Sequence, residues 1–184
     1  MDKYWVSNSY QSIKQEQEDR QSAEEMLQYY VKWCAERNAI GCKPVSAEKH
    51  FEIEVPGTGK KLTGFIDRID LTPSGDYEVF DYKTSKSMLS GNTIKNDFQM
   101  NGYSLAVETL YGKLPITANL LYVRKEKCIV YEVSKDSVEQ SGQEMALLSK
   151  AILADQFEPT PSFGTCKFCD YQSICEAKEI DPED

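Results

Sequence analysis

Asp67, Asp81 and Lys83 are the residues whose types and spacing carry the most chemistry in this sequence. Asp67 lies in residues 62–71 (LTGFIDRIDL), and Asp81 and Lys83 lie in residues 77–83 (YEVFDYK). The segment between them, Thr72-Pro73-Ser74-Gly75-Asp76, has the Pro and Gly of a turn, so the simplest arrangement is an antiparallel hairpin. If it closes with Leu71 opposite Tyr77, the same register places Asp67 opposite Asp81. Directly opposed side chains have Cβ atoms about 4.5 to 5.5 Å apart, and like charges there destabilise a sheet unless a cation compensates. Lys83, two positions beyond Asp81, projects from the same face because strand side chains alternate. Two carboxylates with one ammonium describe an oxygen-rich site for Mg²⁺ or Mn²⁺, a cation that binds phosphate oxygens and lowers the pKa of an attacking water. The competing arrangement is a lattice of surface ion pairs among Asp67, Arg68, Asp70, Asp81 and Lys83, which contributes little energy. Against it stands the second arm, apolar or aromatic on both faces through Tyr77, Val79, Phe80 and Tyr82, as in a central strand buried on both sides.

The elements that must position these groups follow from periodicity. Residues 14–38 place Ala23, Met26, Leu27, Tyr30, Val31 and Cys34 at helical spacing beside a charged face, with Gly41 as the stop. Residues 48–55 alternate Phe51, Ile53 and Val55 against His50, Glu52 and Glu54, which predicts a half-exposed strand. A polar loop over 85–95 leads to a helix over about 97–110. Residues 118–124 and 129–133 read as two strands around Lys125-Glu126-Lys127, and 134–157 as a long helix. Helix, strands, helix, strands, helix is the order of an α/β fold with a mixed central sheet flanked by helices. The chain divides into an N-terminal helical segment (1–45) packed on the core, the α/β core (46–160), and a cysteine motif with an acidic tail (161–184), within one domain.

The runs Gly64-Phe65-Ile66-Asp67-Arg68-Ile69-Asp70 and Asp81-Tyr82-Lys83-Thr84-Ser85, followed by Gln99 and Tyr103 as Q-x-x-x-Y, resemble the RecB-type branch of the PD-(D/E)xK nuclease superfamily. Cys166-x-x-Cys169 with Cys175 resembles the iron-sulfur latch of the helicase-nuclease members of that branch and of related CRISPR-associated exonucleases. The resemblance runs from about residue 48 to 175; each motif is weak alone, and their shared order is specific. It implies a restriction-endonuclease-like fold and a metal-dependent DNA exonuclease in a repair or recombination system with a helicase or ATPase. It also implies that Asp67, Asp81 and the Tyr82 main-chain carbonyl bind the metal. Lys83 orients the water, and Gln99 and Tyr103 contact substrate. The alternative is a non-catalytic nucleic-acid-binding or assembly module that keeps the fold and a cysteine latch.

Cys166, Cys169 and Cys175 have spacing suited to a 4Fe-4S cluster or zinc, but they are one ligand short of a closed site and no fourth is identified. Cys34 falls on the apolar side of its helix, and Cys128 at a strand start reads as structural. His50, on the polar face of its strand, reads as a surface residue. Glu48 stands at the start of a strand where the resembling family often has a glutamate. The 184 residues carry a net charge of −9, which excludes a nucleic-acid binder working by bulk charge. The absence of a long apolar run or an apolar leader predicts a cytoplasmic protein that does not enter a membrane.

Overall fold

The computed structural model describes residues 2–7, 9–88 and 97–177. They form two compact units, Met1–Ala146 and Leu147–Asp184. The first holds a five-stranded sheet in the order β1 (Lys43–Val55), β2 (Lys60–Leu71), β3 (Tyr77–Lys83), β4 (Thr117–Tyr122), β5 (Lys127–Glu132). Only β3 and β4 pair in parallel; every other neighbouring pair is antiparallel. A parallel pair needs a long crossover, and here it contains the helix α2 (Phe98–Tyr111). The expected mixed α/β architecture is therefore observed, with β3 as its central strand.

The helix α1 (Ile13–Ala39) begins at Ser12, whose side chain accepts from the Gln15 N–H, and stops before Gly41 at φ +84°. It packs on one sheet face, where Trp33, Phe80, Leu121 and Val123 form a cluster joined by Met26, Tyr29, Tyr30 and Cys34. The buried stripe is rotated from the one read in the sequence: Leu27 and Val31 are 52% and 66% exposed. Hydropathy alone misplaces the stripe because the sheet beneath α1 accepts aromatic rings and guanidinium groups more than aliphatic ones. Arg37 lies over the rings of Trp33 and Phe80, and Arg68 lies over Trp33.

The opposite face carries the larger core. Phe51, Ile53, Ile66, Ile69 and Val79 from the sheet meet Met100, Tyr103, Ala106 and Val107 of α2. Asp97 caps this helix by accepting from the Met100 N–H at 2.9 Å, and Gly112 at φ +72° closes it. The helix α3 (Lys135–Leu153) buries Val138 and Met145 and ends four residues before the expected position 157. β1 starts five residues earlier than its alternation suggests, because the register shift between Pro44 and Ser46 breaks the period-two pattern there. Part of the polar loop expected over 85–95 lies outside the described residues. The second unit includes the end of α3 and, among the described residues, a short helix α4 (Phe163–Cys166). Among the described residues no helix is long and apolar enough to cross a membrane.

Candidate active site

The hairpin closes as expected: Leu71 pairs with Tyr77, and the register continues through Arg68 and Phe80. It stops one residue short of Asp67 and Asp81. There the side chain replaces the ladder, and Asp67 Oδ2 accepts the Tyr82 N–H at 2.7 Å. The irregularity extends to the other neighbour of β2. β1 pairs Ala47 with Arg68 and Lys49 with Ile66, and between them Glu48 has φ +48°. A non-glycine residue in the left-handed region costs about 1 to 2 kcal/mol. The side-chain alternation breaks at the same place, since Ile66 and Ile69, three apart, join the same core cluster. Two strands are thus bent away from regular pairing at Asp67, which frees its carboxylate to fold over the end of β3.

This geometry splits Asp67, Arg68, Asp70, Asp81 and Lys83 between the two faces of the sheet. Arg68 and Asp70 face α1, where Arg37 Nε and Arg68 Nε each donate to the fully buried Asp70 at 2.6 Å. Arg37 also donates to Glu78, and Arg68 Nη1 lies 3.1 Å from Cys34 Sγ. Asp67, Asp81 and Lys83 face α2. A solvated lattice spanning all five is therefore not what forms.

On the α2 face, Lys83 Nζ lies 2.7 Å from Asp81 Oδ2 and donates to Gln99 Oε1 at 3.1 Å. Gln99 Nε2 in turn donates to the Tyr103 hydroxyl at 2.8 Å. The expected pair, four residues apart on one helix, thus tethers the lysine from one side while Asp81 holds it from the other. Asp81 is only 3% exposed. Its buried Oδ2 is paired with the Lys83 ammonium at 2.7 Å. Burial lifts the Asp81 carboxyl above the usual carboxylate range; Lys83 works in the opposite direction, and the negative charges of Asp67 and Asp97 add to the rise. The Tyr103 phenol is pushed up to about 12, first by burial and then by the charges of Asp81, Asp67 and Glu48, with the Gln99 hydrogen bond opposing. Tyr82 anchors the backbone between Asp81 and Lys83, its hydroxyl 3.1 Å from that of Tyr30 on α1.

A buried carboxylate with a second carboxylate nearby fits an oxygen-seeking divalent cation. Among the described residues no group of three or more His, Cys, Asp or Glu side chains comes together as a metal cage, so the protein offers a carboxylate pair. Asp97 was not singled out from the sequence for this site. Its position before the apolar run of α2 signals a helix cap, but only the fold turns its charge toward Asp81.

The expected cluster at the cysteines has no such support. Cys166 is buried, Cys169 exposed and Cys175 half-buried. They fall in a succession of short turns, with the Cys169 N–H bonded to the Cys166 carbonyl, and are not gathered into one ligand set. An iron-sulfur or zinc site needs converging thiolates. His50 is exposed, with Nε2 3.1 Å from Thr63 Oγ1, as a surface residue would be.

A mixed five-stranded sheet flanked by helices, with an acidic pair and a lysine at the end of its central strand, defines a restriction-endonuclease-like α/β protein. The sequence model of the PD-(D/E)XK nuclease superfamily matches residues 1–176, and the chain belongs to that superfamily. It is 34% identical over 134 residues to the Gene 69 protein of Mycobacterium phage D29, covering 70% of this chain and 46% of that protein. The Gene 69 protein of Mycobacterium phage L5 is 30% identical over 134 residues, covering 70% and 43%. The chain therefore spans less than half the length of these phage relatives. Its fold is similar to that in the crystal structure of SSO0001, with a TM-score of 0.53 and 19% identity over 91% of this chain and 81% of the other.

Proposed function

We propose that this chain is a divalent-metal-dependent DNA nuclease domain that hydrolyses phosphodiester bonds. The observation that carries the reading is the buried carboxylate of Asp81, paired with Lys83 and on the same sheet face as Asp67. Asp67 and Asp81 would hold Mg²⁺ or Mn²⁺, with the Tyr82 main-chain carbonyl as a further oxygen. A site of two carboxylates suits Mg²⁺, which keeps waters and completes its shell with substrate phosphate oxygens. When bound, the cation supplies Lewis acidity and a water of lowered pKa.

The protein's own groups do the positioning. The Tyr82 N–H fixes the orientation of Asp67. Lys83, held by Asp81 and Gln99, presents a fixed positive charge to orient the attacking water and to stabilise charge building on the phosphate. Gln99 and Tyr103 hold that ammonium and contact the substrate.

Exonuclease action, within a DNA repair or recombination system that includes a helicase or ATPase, is the extension supported by the order of the motifs. The net charge of −9 agrees with a module that leaves the grip on DNA to an attached partner.

Purified protein with Mn²⁺ is expected to degrade linear DNA, and Asp81→Ala and Lys83→Ala are expected to lower the rate roughly 100-fold or more. Undiminished activity in both variants would remove the reading. Calorimetric titration separates it from a non-catalytic module, which would bind DNA without binding a divalent cation at the aspartates.

A further inference from the structure

At the end of the sheet that holds the candidate centre, the strand ladder runs on from Lys83 to a further lysine. Lys83 pairs with Tyr122 of β4, and Tyr122 pairs with Lys127 of β5. Paired residues on neighbouring strands point to the same face. The packing agrees: Tyr122 belongs to the core cluster on the α2 face, and Ile129 and Tyr131, two and four positions along from Lys127, pack against that cluster. Lys127 therefore stands on the face of Asp81 and Lys83. Two strand spacings of about 4.8 Å put its backbone about 10 Å from that of Lys83. Lys125, in the turn Val123–Lys125 that joins β4 to β5, adds a second charge at the same end of the sheet.

Arg37, Arg68, Lys61 and Lys113 are each tied to a carboxylate, whereas Lys125 and Lys127 are exposed and have no ion pair among the described residues. Their neighbour Arg124 is committed: Nε donates to the Thr84 carbonyl at 2.8 Å, and Nη1 donates to the Ser22 hydroxyl of α1. This clamp ties the turn to the residue that follows Lys83, so the two free charges keep a set position beside the candidate centre. The run Arg124-Lys125-Glu126-Lys127 has three cations against one anion, in a chain of net charge −9. Exposed ammonium groups without carboxylate partners suit a polyanion, and their spacing suits a repeating one. In a stacked strand the phosphates recur about every 3.4 Å, so Lys127 lies about three phosphates from Lys83, and fewer in a stretched strand. Lysine meets phosphate as a point charge, which positions a strand without reading its bases.

We infer that Lys125 and Lys127 form a backbone subsite for the phosphates of a DNA strand that flank the one placed at Asp81 and Lys83. The strand then leaves the candidate centre across β4 toward the β4–β5 turn. The polymer named here rests on the nuclease reading above; the subsite itself rests on the ladder and the turn.

The test measures binding of a fluorescein-labelled single-stranded oligodeoxynucleotide by anisotropy in EDTA across a salt series, and hydrolysis separately with Mn²⁺. With Lys83, Lys125 and Lys127 each neutralising one phosphate, the intact protein should give a slope of about −2 on logarithmic axes. The double variant Lys125→Gln with Lys127→Gln should flatten it to about −0.7, and Lys127→Gln alone should weaken binding about 10-fold at about 50 mM salt. In hydrolysis the double variant should raise KM with kcat held, because a contact to a flanking phosphate binds substrate and transition state alike. Lys125→Arg with Lys127→Arg keeps the charge and should keep the slope. Lys43→Gln removes an exposed lysine at the far end of the sheet, opposite Leu71, and should leave the slope as it is. An unchanged slope in the Gln double variant, or an equal flattening in Lys43→Gln, overturns the subsite. Hydrolysis that requires Lys83 while its KM ignores the double variant would leave the nuclease reading standing alone. Binding that falls in the double variant, without hydrolysis by the intact protein, would leave the subsite and remove the nuclease.

Discussion

Asp81 combines two features that a stable fold normally avoids, a carboxylate withdrawn from water and further acidic groups nearby. Burial raises its affinity for a proton, and the adjacent ammonium of Lys83 offsets only part of this. A carboxyl whose folded pKa lies above its unfolded value favours folding when protonated. That contribution is present at low pH and is lost as pH rises from the unfolded pKa through the folded one. At neutral pH, without metal, the ionised Asp81 therefore opposes folding. Asp81→Asn should leave the melting temperature in EDTA unchanged or higher while abolishing hydrolysis; a clear fall in melting temperature would contradict this account. Mn²⁺ should stabilise the unaltered protein by about 2.7 kcal/mol at a hundredfold excess over its Kd. The same addition should leave the Asp81→Asn melting curve in place.

At the scale of elements, the sheet separates two kinds of charge. The α1 face holds Arg37, Arg68, Asp70 and Glu78 in a closed network that ties the helix to β2 and β3. The α2 face holds the open set of Asp67, Asp81 and Lys83. Removing a single member of a buried network leaves its partner charges uncompensated. Asp70→Ala should therefore destabilise the protein by about 3 to 5 kcal/mol in a denaturant titration. A loss below about 1 kcal/mol, typical of an exposed pair, would show that the network is not closed. The hairpin register was legible because turn chemistry and strand alternation agree on it. The position of the α1 stripe was not, because Trp33 and Tyr29 are buried by partners that come from β3, β4 and the turn after β4.

For the molecule as a whole, the acidic balance constrains how a polyanion is engaged. With one lysine at the candidate centre, few phosphates are neutralised directly. The logarithm of the affinity for single-stranded DNA should fall with the logarithm of salt concentration with a slope no steeper than about −2, the value for roughly three phosphate contacts. A slope near −6 in a salt series would point to a basic surface elsewhere in the assembly. The phage relatives are more than twice the span matched here.

The sequence by itself determined the architecture and named the residues of the candidate site. Period-two runs, turn residues and helix caps are local signals, and the motif order marked Asp67, Asp81, Lys83, Gln99 and Tyr103 before any coordinates. Only the tertiary structure decided which face each charge occupies, because that depends on the break in alternation at Asp67 opposite the left-handed Glu48. It also brought in Asp97, since its charge reaches Asp81 only where β3 and the start of α2 meet across stretches with no shared local pattern. The cysteine spacing has no counterpart among the described residues, where Cys166, Cys169 and Cys175 fall in short turns and form no ligand set.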